Sequence, residues 1–137
     1  MIGVSAPDEA VTRVAAYYDL LFKWNRSVNL TSLEDGDEAV DRLLVEPMVA
    51  ATRLPAAGTL VDVGSGGGSP AIPLKLMRPG LHLTMIESRI RKGAFLREAV
   101  RSLELVSATV EVCRVEQWAE RSRIDSGTVV VSMRAVR

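Results

Sequence analysis

Two groups in this sequence are spaced for holding a nucleotide-like ligand: a glycine turn, and an acid one strand further on. The turn lies in Leu60-Val61-Asp62-Val63-Gly64-Ser65-Gly66-Gly67-Gly68-Ser69-Pro70-Ala71-Ile72-Pro73. An apolar run carrying Asp62 near its end passes through four glycines within five positions and restarts on prolines suited to a helix opening. A buried strand that runs through a glycine turn into a helix brings backbone N–H groups close to a ligand, with no Cβ in the way. The acid is Glu87, closing the apolar run Leu83-Thr84-Met85-Ile86. From a strand end it can accept hydrogen bonds from ribose hydroxyls.

Two cofactor classes compete for such a unit. A dinucleotide fold asks for Gly-x-Gly-x-x-Gly, and counted from Gly64 the sixth position is Ser69. The order Asp62-x-Gly64-x-Gly66-x-Gly68 matches instead the first motif of S-adenosylmethionine-dependent methyltransferases. Glu87 stands where both classes place a ribose acid, so it supports a ribose without choosing between them. A third strand, followed by Arg114-Val115-Glu116-Gln117-Trp118, delivers Val115 and Glu116 to the same crevice, within reach of an adenine.

The elements that position these groups follow from periodicity. Residues 7–25 read as an amphipathic helix with Val11, Val14, Ala15, Tyr18, Leu21 and Phe22 on its apolar stripe. Asp35-Gly36-Asp37-Glu38 opens a second helix running to about Arg53, with Pro47 expected to kink or break it. After the linker 55–58 the rhythm becomes α/β. Strands are expected at 59–63, 82–87, 108–113 and 128–133, with helices at 70–78, 89–104 and, more weakly, 115–122. The strands are nearly all apolar, as buried parallel strands are. The expected architecture is an N-terminal helical cap (1–58) on a Rossmann-like core (59–137), one compact domain overall, with strand order 3-2-1-4. The last strand lies close to Arg137, so its apolar edge is expected to be open to pairing with another chain.

Composition narrows the function classes. At 137 residues with 47% hydrophobic and 25% charged residues, the chain is globular in type. No apolar run approaches the roughly 20 residues of a membrane helix. The first residues lack the basic-then-apolar order of an export signal, and the lone Cys113 fits a reducing cytoplasm. The zero net charge is unevenly spread: residues 1–58 hold nine acids and five bases, leaving +4 on the rest. That asymmetry is compatible with a polyanionic partner. His82 has no partner at metal-ligand spacing and reads as structural, Cys113 reads as core, and no metal is expected. No acid–base dyad stands out, and the Asn-Pro-Pro-aromatic signature of exocyclic-amine methylation is missing after the fourth strand, where Val131-Ser132-Met133-Arg134 stands. An acceptor that already offers a lone pair, such as guanine N7, needs neither.

Taken together, Lys23-Trp24-Asn25, Asn29-Leu30-Thr31, Asp62-Val63-Gly64-Ser65-Gly66-x-Gly68-x-Pro70-x-Ile72-Pro73-Leu74, Arg78-Pro79, Arg91-Lys92, Phe95-Leu96-Arg97, Arg114-Val115-Glu116 and Arg134-Ala135 resemble one family. It is the bacterial small-subunit ribosomal RNA guanine-N7 methyltransferases, also called the glucose-inhibited division protein B family. The resemblance implies a class I methyltransferase fold, S-adenosylmethionine as donor, and a partner in small-subunit ribosomal RNA or the assembling subunit. It implies cofactor contacts from Gly64, Ser69, Val115, Glu116 and Arg134, with Glu87 on the ribose; Asp62, Gly66 and Gly68 belong to the same loop motif. Arg134 is expected where donor and acceptor meet. Arg42, Arg91 and Lys92 are candidates for RNA contact, with Arg89, Arg97 and Arg101 further phosphate candidates. The chain departs from the family pattern at Leu43, Ser69, Ala71 and Met133, and family members continue for several strands past the length seen here. A truncated homologue serving as a cofactor- or RNA-binding module is the alternative reading, and a dinucleotide-dependent oxidoreductase the third.

Overall fold

In the computed structural model, which describes residues 8–122 and 127–133, four strands make one parallel sheet. They are β1 (Gly58–Val63), β2 (Leu81–Ile86), β3 (Ala108–Glu111) and β4 (Val129–Met133), in the order β3-β2-β1-β4. The expected order holds, and the strand ends shift by one or two residues. Past the end of β3, the bonds Glu87 N–H to Glu111 O (3.0 Å) and Cys113 N–H to Glu87 O (3.1 Å) continue the ladder. In-register partners Leu60–Leu83 and Asp62–Met85 share one face of the sheet. That face forms the core with α1 (Asp8–Asn25), α4 (Ala71–Met77) and α5 (Ile90–Ser102).

Helix α4 follows directly from the glycine turn, and all seven of its residues are buried. Pro73 fits its first turn because an N–H there would have no intrahelical acceptor. Lys75 is buried too, and its Nζ donates to Pro79 O (2.7 Å) and to Leu81 O, tying the end of α4 to the start of β2.

The N-terminal helices depart from expectation in two instructive ways. On α1 the buried stripe is Ala10, Val14, Tyr17 and Leu21, while Val11 and Ala15 are exposed. The helix is rolled so that Tyr17, fully buried, donates its hydroxyl to Gly67 O at 2.6 Å. The neighbouring Tyr18 is left partly exposed, bonded to Asp35 Oδ1 at 2.5 Å. The second helix does not break at Pro47. It runs as α2 (Asp37–Val40), a π-helical turn (Asp41–Val45) and α3 (Glu46–Ala51). Proline has no N–H for the Leu43 carbonyl four residues back. The wider turn accommodates this, and Leu43 O takes a hydrogen bond from Ser69 Oγ at 2.8 Å instead.

Two further expectations are corrected. Only β1 and β2 are largely buried: on β4, Val129, Val131 and Met133 are 39%, 61% and 66% exposed, because among the described residues no element covers that face. The helix α6 (Val115–Arg121) has no buried residue, although Trp118 is partly covered. Cys113 is half-buried at the end of β3, 3.4 Å from the Arg121 guanidinium, and is not a core residue. His82 is exposed on β2.

Two measurements follow from this packing. Removing the hydroxyl by Tyr17→Phe should cost about 1–2 kcal/mol in urea unfolding at an unchanged slope; an unchanged midpoint would separate the roll of α1 from that bond. Burial, with a smaller contribution from the Arg13 charge, lowers the Lys75 ammonium below its ordinary 10.5. The unfolded chain therefore binds a proton where the folded chain has lost it, so this residue makes stability rise with pH up to about 10.5. Unfolding at about pH 8 and about pH 10 should show that gain in the wild type and not in Lys75→Met; an equal gain in both would assign it elsewhere.

Candidate functional site

The turn after β1 is tied to the end of β2 before it leaves the sheet. Gly64 N–H and Ser65 N–H both donate to Ile86 O, at 2.9 and 3.2 Å. The chain then reverses through Gly64, Gly66 and Gly68, with φ of 70°, 52° and 87°, values at which a side chain is strained. Gly68 N–H closes on Ser65 O at 2.7 Å, and Ile72 N–H on Gly68 O at 2.7 Å starts α4.

Glu87 holds this turn in place. The residue is 5% exposed; Oε1 of its carboxylate accepts from Gly66 N–H at 2.8 Å and Oε2 from Arg89 N–H at 2.8 Å. Each oxygen retains lone-pair capacity for a further donor. The turn is thus set before any ligand arrives, with the acid that could meet ribose hydroxyls bonded to it directly.

A cleft of about 490 Å³ opens at these strand ends, in the size range of small-molecule sites. Gly64, Ser65, Gly66 and Gly67 form its floor, with Ser69 and Glu87 beside them. Ser88, Arg89 and Lys92 border it on the α5 side. The opposite wall is Leu21, Leu30, Thr31 and Leu43, all from the N-terminal helical region. The closeness of that wall explains the second of the adjacent glycines. A Cβ on Gly67 would lie 3.0 Å from Leu21 Cδ1 and 3.1 Å from Leu30 O.

Of the residues singled out from the sequence, Gly64, Gly66, Ser69, Glu87, Arg89 and Lys92 come together in the cleft. Gly68 lies behind it, buried against Ile72 and Leu96. Asp62 is buried within β1, where Ser132 Oγ donates to its Oδ1 at 2.5 Å, so it joins β1 to β4 and does not line the cleft. Val115 and Glu116, at the start of α6, are not among the lining residues. Arg42 is exposed, 3.5 Å from Glu38, and Arg91 is exposed with its guanidinium donating to Ser27 O at 2.8 Å. Arg134 lies outside the described residues. The wall residues Leu21, Leu30, Thr31 and Leu43 were not legible as site residues; Gly67, an extra glycine within the motif, was the one local sign of a close neighbour. Among the described residues no cluster of three or more His, Cys, Asp or Glu could hold a metal, and no helix is long and apolar enough to cross a membrane.

Comparison with known proteins agrees with this geometry. Residues 10–137 match the family described as rRNA small subunit methyltransferase G. The ribosomal RNA small subunit methyltransferase G of Dichelobacter nodosus is 38% identical over 117 residues, covering 85% of this chain and 56% of that protein. The protein of the same name from Xanthomonas axonopodis pv. citri is 42% identical over 109 residues, covering 80% of this chain and 51% of its own length. The chain therefore spans about half the length of these curated relatives. Among solved structures, the precorrin-6y C5,15-methyltransferase of Geobacter metallireducens superimposes with a TM-score of 0.55 at 16% identity, over 74% of this chain and 50% of that one. The fold is thus the Rossmann-like fold of class I methyltransferases, and the chain belongs to the rRNA small subunit methyltransferase G family.

Proposed function

We propose that the cleft binds S-adenosylmethionine and that the protein transfers its methyl group to guanine N7 in small-subunit ribosomal RNA, in the cytoplasm. The observation that carries this reading is the Glu87 carboxylate bonded to Gly66 N–H at the mouth of the cleft, in a chain of this family. The residues present fit the donor: Gly64, Gly66 and Gly67 put no side chain on the floor, the Ser65 hydroxyl is bonded to Asp62 O, and the acid stands one strand away. Gly64, Gly66 and Ser69 would receive the amino-acid end, with Gly68 completing the turn behind them; Glu87 would receive the ribose hydroxyls, and Val115 and Glu116 the adenine. Asp62 supports the turn from within β1, accepting Ser65 Oγ on its carbonyl at 3.2 Å.

When bound, the donor supplies an electrophilic methyl group on a sulfonium. Guanine N7 already offers a lone pair, so a transfer that forms the N7–methyl bond as the methyl–sulfur bond breaks and S-adenosylhomocysteine leaves would require no proton to be removed from the acceptor. Its work is to align the two partners and exclude competing poses. Arg134 is assigned to that junction, and Arg42, Arg91 and Lys92 to RNA phosphates, with Lys92 on the cleft rim. The second reading is a module that holds the donor without transferring its methyl.

Calorimetry with S-adenosylhomocysteine and with NAD decides the cofactor class. The expected result is binding of the former alone; binding of NAD alone would overturn the reading. Transfer of tritiated methyl to naked small-subunit RNA or to assembled subunits distinguishes the enzyme from the binding module. Gly66→Val should abolish S-adenosylhomocysteine binding. Gly66 has a φ of 52°, which a β-branched residue strains to adopt, and the added methyls would stand in the open cleft. Undiminished affinity would move the ligand away from the turn.

A further inference from the structure

We infer that Asn25 is a positioning residue for the donor cleft, acting through the wall segment Leu30-Thr31. The inference rests on the reading of the cleft as the S-adenosylmethionine site. Asn25 is the last residue of α1, and its Oδ1 accepts two hydrogen bonds, from Leu30 N–H at 2.8 Å and Thr31 N–H at 3.0 Å. Both donor residues line the cleft. Asn25 itself does not, so it acts through them.

The loop between has few other supports. α1 ends where Ser27 and Val28 N–H groups donate to Trp24 O at 3.0 and 2.9 Å, and Val28 is buried. Ser27 O takes the exposed Arg91 guanidinium bond. Thr31 Oγ1 accepts from Leu33 N–H at 3.1 Å, which holds its side chain but not its distance from the glycine turn. That distance is closely set: a Cβ on Gly67 would lie 3.1 Å from Leu30 O and 3.4 Å from Leu30 Cβ, so the segment rests on the turn with no side chain between. One oxygen with two lone pairs therefore aligns two consecutive amides, and through them a wall of the site. The requirement is for an acceptor alone. Aspartate meets it; leucine, of similar size, does not.

The test is calorimetric titration of S-adenosylhomocysteine into wild type, Asn25→Asp and Asn25→Leu. Asn25→Leu should weaken binding about tenfold or more, the scale of a lost pair of part-buried hydrogen bonds, and Asn25→Asp should stay within about threefold. Leucine binding like wild type, or aspartate losing as much as leucine, would overturn the assignment. Should the leucine variant not fold, amide exchange on the wild type decides. Leu30 and Thr31 N–H should exchange about tenfold more slowly at saturating S-adenosylhomocysteine, and unchanged exchange would overturn the assignment. A wild type that binds no S-adenosylhomocysteine would refute the donor-site reading itself, an outcome distinct from wild-type binding that is indifferent to Asn25.

Discussion

A glutamate at a strand end cannot lie 5% exposed without hydrogen-bond donors for its carboxylate, and Glu87 takes one from each of the loops that follow β1 and β2. Those two bonds set how far apart the loops stand. They also orient Gly66, whose left-handed backbone presents its N–H to the acid. The conformation of the glycine turn, the opening of the cleft and the start of α5 all follow from where this one charge is satisfied.

The turn is held from behind as well. Tyr17 reaches it through Gly67 O, and Ser69, at its far end, reaches back to Leu43 O. The sequence separations of 50 and 26 residues mean that the N-terminal helices are joined to the glycine turn itself, beyond the sheet's general apolar packing. A cap attached in this way becomes a wall of the site.

Much of this was readable in advance where the signal is local or strictly periodic. The apolar runs of β1 and β2, the strand order, the turn and Glu87 all stand where expected. What escaped depends on packing across the chain. The α1 stripe contained two adjacent tyrosines and several equally apolar phases, and only the contact of Tyr17 with Gly67 decides among them. Pro47 announced a lost backbone bond, correctly, but not that a π turn would absorb it and leave Leu43 O to a serine in the glycine turn. Leu30 and Thr31 read as loop because they are; their place on the cleft is set by Asn25 and by the missing side chain of Gly67. The burial expected for β4 presumed a covering layer, which its run of three valines cannot itself supply.

Helix α4 offers no solvated face at all, from Ala71 to Met77. A helix enclosed on every side cannot tilt or slide without opening the interior around it, so the glycine turn is anchored rigidly where it enters α4. The wall across the cleft is different: Arg26, Ser27, Asn29 and Ser32 all face solvent. The compliance of the cleft is therefore one-sided. Displacing the floor would open the interior around α4, a cost that the solvent-facing residues of the short segment after α1 do not carry.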